Sequence, residues 1–304
     1  MKIAIIGAGA MGSIYGGILS RHNNVSLIDT NTDTVNKINR NGIVLQASEG
    51  SNTYYPKAYI SSIDVGIVDL VIIFVKSLFT EAAIAANQSL INGSTYVMTL
   101  QNGFGHEEII SKFLPLNRIV IGTTEDNGAI LSSGIIRHGG NRKTNIGLLN
   151  GKTDSHILDI KKSFDECGFI CSIYDNIQQL RWNKLFTNAS LSVITAMLQV
   201  PIGYIYKNEH AWNLVCQLVS EAVEVAHSYN ITADVKAILN DIKNVSINSP
   251  DGITSICSDI KNDRKTEVDF ISGALVKAAS AHNIPVPSHK FVLEAIHSLE
   301  DKVN

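Results

Sequence analysis

The chain has 304 residues, of which 45% are hydrophobic and 17% charged, with a formal net charge of −3. That balance excludes a disordered chain, which lacks the apolar surface to offset the entropy of folding, and it excludes the basic surface that nucleic-acid binding requires. The length suits two domains of ordinary size, each with its own core, and the expected partner is a small molecule. Apolar runs such as Leu70–Val75 fall far short of the roughly 20 residues that span a bilayer. The first motif begins too early to leave room for a signal peptide, so no membrane partner and a cytoplasmic location are expected. Cys167, Cys171, Cys216 and Cys257 form neither a C-x-x-C pair nor a Cys/His grouping with metal-ligand spacing. They read as idle thiols in a reducing compartment, and no metal is expected.

The chain opens on an apolar strand, Ile3–Ile6, followed by Gly7, Ala8, Gly9, Ala10, Met11 and Gly12 in the spacing G-x-G-x-x-G, and then by an apolar helix. In that setting the first glycine permits a tight turn, the second lets a pyrophosphate approach the backbone, and the third lets the helix lie close on the strand. Phosphate then meets the unpaired N–H groups of the helix N-terminus, where the macrodipole favours negative charge. A second buried strand, Val25–Ile28, ends at Asp29, 22 residues beyond Gly7. This is the usual place of an acid that hydrogen-bonds the ribose 2′-hydroxyl of NAD; a turn or N-cap role for Asp29 is the alternative. No Arg or Lys occurs between Asp29 and Asn36 to clamp the 2′-phosphate of NADP.

Next come a helix over about 32–40, strands over Ile43–Ala47 and Tyr54–Ile60, and the buried strand Val68–Val75. That strand ends in Lys76, at the sheet edge where ligands bind, so Lys76 either touches cofactor or substrate or is simply solvated. Tyr96–Leu100 ends in Gln101-Asn102-Gly103, which is a turn signal and also lies at that edge. A helix over Glu107–Phe113, strands at Ile119–Thr124, Gly134–His138 and Thr144–Leu149, a helix over Asp154–Glu166 and a strand Ile170–Tyr174 complete this half. The alternation predicts an α/β fold: a Rossmann-type doubly wound parallel sheet over residues 1–175, with antiparallel additions after residue 120. From Asn176 onward strand signals nearly vanish, and Gln178–Leu198, Glu209–Ser228, Thr232–Asn240 and Phe270–His282 carry apolar residues at helical period. An all-α domain over 176–304 is therefore expected, with a small-molecule cleft between the two domains.

Two stretches of the second half carry chemistry. Lys184, Asn188 and Ser192 recur at i, i+4 and i+8 within an otherwise apolar helix, which stacks an ammonium, an amide and a hydroxyl on one face. Such a lysine lines a polar cleft and can give a proton to a carbonyl oxygen as hydride arrives. Farther on, Asn262–Arg264 interrupts a short helix, and Thr266-x-x-Asp269 resembles a capping box that opens the next. Glu267 then falls in the first turn, either as a carboxylate favoured by the dipole or as one that accepts a substrate hydroxyl and pairs with Lys184.

Taken in order, several motifs resemble the ketopantoate reductase (2-dehydropantoate 2-reductase) family over essentially the whole length. They are the Gly7–Gly12 turn, Lys76, Gln101-Asn102-Gly103, Lys184-x-x-x-Asn188, Thr254-Ser255 with Asp259-Ile260, Arg264-x-Thr266-Glu267-x-Asp269 with Gly273, and Asn283-Ile284-Pro285-x-Pro287. The resemblance implies reduction of 2-dehydropantoate to (R)-pantoate, a step toward pantothenate and coenzyme A, with NADPH as the usual hydride donor. It makes Lys184 the general acid and Glu267 the partner of the substrate hydroxyl. Asn102, Asn188 and Ser255 become substrate hydrogen-bonders, with Lys76, Asn102 and Glu267 also near the cofactor. Two positions depart from the family pattern. Ser192 stands where an Asn commonly repeats, which bears on substrate identity, and Asp29 replaces a basic residue, so both NADP(H) and NAD(H) are carried forward. An NADH-dependent D-2-hydroxyacid dehydrogenase acting on another branched or aromatic 2-oxo acid is the nearest alternative. A non-catalytic dinucleotide sensor is the alternative of another class, and it would need none of Lys184, Asn188, Ser255 and Glu267. The apolar helix faces leave a homodimer open.

Overall fold

The computed structural model describes residues 1–303. The chain divides into two compact units: residues 1–101 with 106–177, and residues 102–105 with 178 onward. With strands numbered in chain order, the main sheet of the first unit runs β5 (Lys57–Tyr59), β2 (Asn24–Ile28), β1 (Lys2–Ile6), β6 (Leu70–Ile73), β7 (Tyr96–Thr99), β8 (Ile119–Thr124), β11 (Lys143–Leu148) and β12 (Ile170–Ile173). Pairing is parallel from β5 to β8; β11 joins β8 antiparallel and β12 follows β11, in keeping with the expected late antiparallel additions. The central strands β1 and β6 are apolar almost throughout because both faces are covered. In β1, Ile3 and Ile5 join a core with α1 (Ala10–Leu19) and α5 (Ser155–Glu166). Ala4 and Ile6 join a second core with α3 (Thr80–Ala86) and α4 (His106–Ile110).

A second, four-stranded sheet was not expected. It runs β4 (Gly50–Tyr54), β3 (Ile43–Ala47), β10 (Ile135–His138) and β9 (Gly128–Ser132). The strand expected over Tyr54–Ile60 is split between sheets: Tyr54 closes β4, Pro56 has no N–H to donate, and β5 pairs with β2. Helix α1 lies against strands of both sheets, and all eight residues from Gly12 to Leu19 are buried. A helix covered on every side must be apolar all round, as AMGSIYGGIL is.

Register places the ligand edge. Ile6 pairs with Ile28 and Ile73, and Ile73 with Thr99, so the chain leaves the sheet at the same level after β1, β2, β6 and β7. The order of strands reverses at β1, whose neighbours β2 and β6 carry the chain in opposite directions; in open α/β sheets this is where ligands bind.

The second unit is helical: α6 (Ile177–Thr187), α7 (Val193–Leu198), α8 (Ile202–Lys207), α9 (Glu209–Ser228), α10 (Val235–Asn248), α11 (Ser255–Lys261), α12 (Ala274–Ala281) and α13 (Pro287–Glu300). Its core is built around α9, through Val215, Leu218, Val219, Ala222 and Ala226, with Trp182 and Phe186 of α6 and Ile296 of α13. Two of its helices are not regular. A π segment, Asn188–Ser192, joins α6 to α7, and another, Asp269–Gly273, leads into α12. The four cysteines are free; desolvation pushes every thiol up, Cys171 to about 12, which suppresses thiolate chemistry. Among the described residues no helix is long and apolar enough to cross a membrane.

Candidate functional site

In the first unit the glycine turn is a steric solution. Gly7 has φ +101°, and a Cβ there would meet Val75 N at 2.8 Å; a Cβ on Gly12 would fall 1.8 Å from Gly7 O. A Cβ on Gly9 would meet nothing within 4 Å, so this glycine keeps open space rather than avoiding protein. Helix α1 begins after Gly9 with no side-chain cap, whereas α2 (Thr32–Asn41) and α5 are capped by Asn31 and Asp154. Its first-turn residues Ala10, Met11 and Gly12 thus carry amides without a side-chain acceptor. Those unmet donors and the open side at Gly9 fit a pyrophosphate.

Asp29 follows β2 beside this turn. Its Oδ2 accepts the Ala8 N–H at 2.8 Å and its Oδ1 accepts the Asn31 N–H at 2.9 Å. The turn role is therefore real, and it fixes the carboxylate at the mouth of the glycine turn, where each oxygen keeps a lone pair for a ribose hydroxyl. No cation stands beside it between residues 30 and 36, and the next one, Lys37, is paired with Asp33 at 2.9 Å. Strand β6 ends at Ile73, so half-buried Lys76 lies in a loop rather than at the strand end. Gln101, to which the motif alone gives no role, ties that loop down: its Nε2 donates to Val75 O at 2.7 Å and to Thr80 Oγ1 at 3.0 Å.

The residues expected at the substrate all belong to the second unit. Lys184, half-buried, is in the last turn of α6; Asn188 and Ser192 are the two ends of the first π segment. The expected stacking survives there, with Ser192 Oγ 3.5 Å from Asn188 Oδ1. A regular helix does not. Asn188–Ser192 is wound as a π segment, within which Ser190 Oγ donates to Phe186 O at 2.6 Å. Ser255 opens α11. Its neighbour Thr254 caps that helix and meets Thr195 Oγ1 at 2.8 Å, while Thr195 donates to Ser192 O at 2.9 Å. Two threonines thus tie Ser255 to the π segment that carries Asn188 and Ser192.

Asn102 is brought to the same unit by its neighbours. Phe104 N donates to Phe270 O at 2.8 Å, and Arg181 Nη2 donates to Gly103 O at 3.2 Å, with its guanidinium 4.1 Å from the centre of the Phe104 ring. Gly103, at φ +88°, has no room for a Cβ, which would lie 2.0 Å from Phe270 O. The Asn-Gly pair is therefore more than a turn: it seats the segment against the π segment that follows Glu267. The two π segments in turn pack against each other. Glu267 itself stands in a bend, one residue before the helix resumes. The expected capping box is only half made. Thr266 Oγ1 accepts the Val268 N–H at 3.1 Å, but the Thr266 N–H goes to Glu300 and not to Asp269.

A glycine turn on an uncapped helix at the reversal point of a doubly wound sheet, joined to a helical unit with a lysine-bearing polar face, defines a dinucleotide-dependent oxidoreductase. The comparisons agree. The model of the ketopantoate reductase PanE/ApbA family matches residues 3–151, and that of the family's C-terminal domain matches 176–300. The chain belongs to this family. It is 30% identical over 298 residues to the 2-dehydropantoate 2-reductase of Pyrococcus horikoshii, covering 97% of this chain and 96% of that protein. It is 26% identical over 289 residues to that of Halobacterium salinarum, covering 94% and 95%. Among solved structures it is similar to a D-mandelate dehydrogenase in ternary complex with NADH and anilino(oxo)acetate, at 30% identity and TM-score 0.93 over 100% of this chain and 99% of that one. A PanE/ApbA family ketopantoate reductase from Ralstonia eutropha JMP134 matches at 26% identity and TM-score 0.91, again over 100% and 99%. The protein is an NAD(P)H-dependent oxidoreductase that acts on a 2-oxo or 2-hydroxy acid.

Proposed function

We propose that this protein is an NADH-dependent D-2-hydroxyacid dehydrogenase that reduces a branched or aromatic 2-oxo acid. The observation that carries the reading is Asp29: a carboxylate fixed by two backbone amides at the mouth of the glycine turn suits the free 2′-hydroxyl of NADH and repels a 2′-phosphate. The similarity to a D-mandelate dehydrogenase with NADH supports it, as does Ser192, whose short side chain leaves room that a second asparagine would fill.

The bound dinucleotide supplies the hydride. Gly7, Ala8, Gly9, Ala10, Met11 and Gly12 would hold its pyrophosphate on backbone amides, and Lys76 would touch it as well. Lys184 gives a proton to the carbonyl oxygen of the acid and offsets the negative charge that develops there. Asn188, Ser192, Ser255 and Asn102 hold the carboxylate and carbonyl oxygens. Glu267 accepts from a hydroxyl or ammonium at the site and borders the cofactor. We assign the cofactor to residues 1–175 and the acid chiefly to residues 176–304.

A second reading, 2-dehydropantoate 2-reductase of pantothenate biosynthesis using NADPH, is favoured by the curated relatives of that name. One assay separates the two: kcat/KM for 2-dehydropantoate against aromatic and branched 2-oxo acids, each with NADH and NADPH. Preference for NADH with an aromatic or branched acid supports the first reading. Preference for 2-dehydropantoate with NADPH overturns it.

A further inference from the structure

Both peptides that flank Glu267 are fixed, and the fixing comes from the far end of the chain. Glu300, the last residue of α13, has a side chain only 3% exposed. Its Oε1 accepts the buried Thr266 N–H at 2.7 Å. Its Oε2 faces His297 Nδ1 at 3.2 Å and Lys265 Nζ at 3.4 Å. His297 Nε2 lies 3.1 Å from Asp269 Oδ1, and Lys265 reaches Asp301 at 3.0 Å. The segment 265–269 is therefore attached to the last turn of α13 at three points: the ammonium of Lys265, the amide of Thr266 and the carboxylate of Asp269. Thr266 Oγ1 then holds Val268 N, so the residues on either side of Glu267 have fixed backbones.

We propose that Glu300 is a positioning residue: its carboxylate takes the place of the absent half of the capping box and sets the bend from which Glu267 reaches the substrate. Nothing in the local sequence requires a carboxylate 34 residues downstream, and Asp269, the box's own candidate, is turned to His297. A buried carboxylate is costly unless its oxygens are met, and here the amide, the imidazole and the ammonium meet them. The inference rests on the role proposed above for Glu267.

The test compares Glu300→Ala, which removes the acceptor, with Glu300→Gln, whose carbonyl oxygen still accepts the Thr266 N–H without the charge. Glu300→Ala is expected to lower kcat/KM for the 2-oxo acid roughly ten- to a hundredfold, the scale of a misplaced reacting group. NADH affinity, read by fluorescence, stays unchanged, and Glu300→Gln returns to within about threefold of the parent. If the alanine variant does not fold, Glu300→Asp, one methylene too short to reach, takes its place. Loss of less than twofold in the folded alanine or aspartate variant, or equal loss in the glutamine variant, overturns the proposal. A parent enzyme that turns over no 2-oxo acid overturns the reading of the reaction alone. The tether is then read by hydrogen exchange of the Thr266–Phe270 amides, faster in Glu300→Ala than in Glu300→Gln if it stands and alike in both if it does not.

Discussion

The two units would offer the ligands proposed for them different kinds of surface. The first presents backbone: glycines whose missing Cβ atoms leave space, and the uncapped amides of α1. The second presents side chains, on helices whose regular winding is interrupted at Asn188–Ser192 and Asp269–Gly273. A backbone site needs only a short stretch of chain in a fixed conformation, and it suits the pyrophosphate that NADH and NADPH share, leaving the choice between them to the one side chain beside it, Asp29. A side-chain site must be assembled from distant segments, and it is there that one 2-oxo acid can be told from another.

The difference predicts separable defects. Lys184→Ala should lower kcat/KM by about 10²- to 10⁴-fold, the usual contribution of a general acid, while the NADH dissociation constant measured by fluorescence titration stays the same. Equal losses in both would mean that the two surfaces are not distinct in function. Gly12→Ala should do the reverse of sparing cofactor: its Cβ would sit 1.8 Å from Gly7 O, a clash with backbone that no rotamer relieves. About 1–3 kcal/mol of stability should go with it, seen as a lower Tm, and NADH binding should be lost. Asp29→Ala should weaken NADH more than NADPH, lowering the preference for NADH about tenfold, in line with the loss of a hydrogen bond to a charged group.

The smallest effect concerns pH and two histidines of α13. His289 is wholly buried with Nε2 on Leu218 O, and desolvation holds its pKa below the ordinary 6.5. The unfolded chain takes up a proton that the fold refuses, so stability is present above pH 6.5 and falls as pH drops below it, by at most about 1.4 kcal/mol per pH unit. His297 acts in the opposite sense. Although partial burial opposes its charge, Glu300 and Asp269 raise its pKa, so its contribution is full below 6.5 and is lost as pH rises through the raised value. Urea unfolding of His289→Gln from pH 7 to 5 should show a flatter slope than the parent; an unchanged slope would assign the acid loss to other groups.

What could be read from sequence follows the same division. The β1–turn–α1 unit, the alternation of strand and helix, and the helical second half are local or periodic signals, and the fold class follows from them. The second sheet is not local. Strand β9, GAILS, is mostly exposed and shows no alternation, and β3 and β10 pair across some 90 residues. The stacking of Asn188 and Ser192 was legible as a period, but the π winding beneath it has no local sequence signal. Thr195 and Glu300 carry no motif, and the motif that holds Gln101 does not show its role, because each acts by meeting a group that only the folded chain brings near.

The burial of α1 has a mechanical consequence. Because one helix is the shared wall of two sheets, with Gly16 against Leu27, Gly17 against Tyr54 and Ile14 beneath Gly128, neither sheet can open without exposing it. The amides of the small sheet that face α1 should therefore exchange with those of β1 and β6 in one cooperative opening, as hydrogen exchange would show. A dinucleotide seated on the N-terminal end of α1 would then latch both sheets at once, and adding NADH should slow proteolysis of this unit.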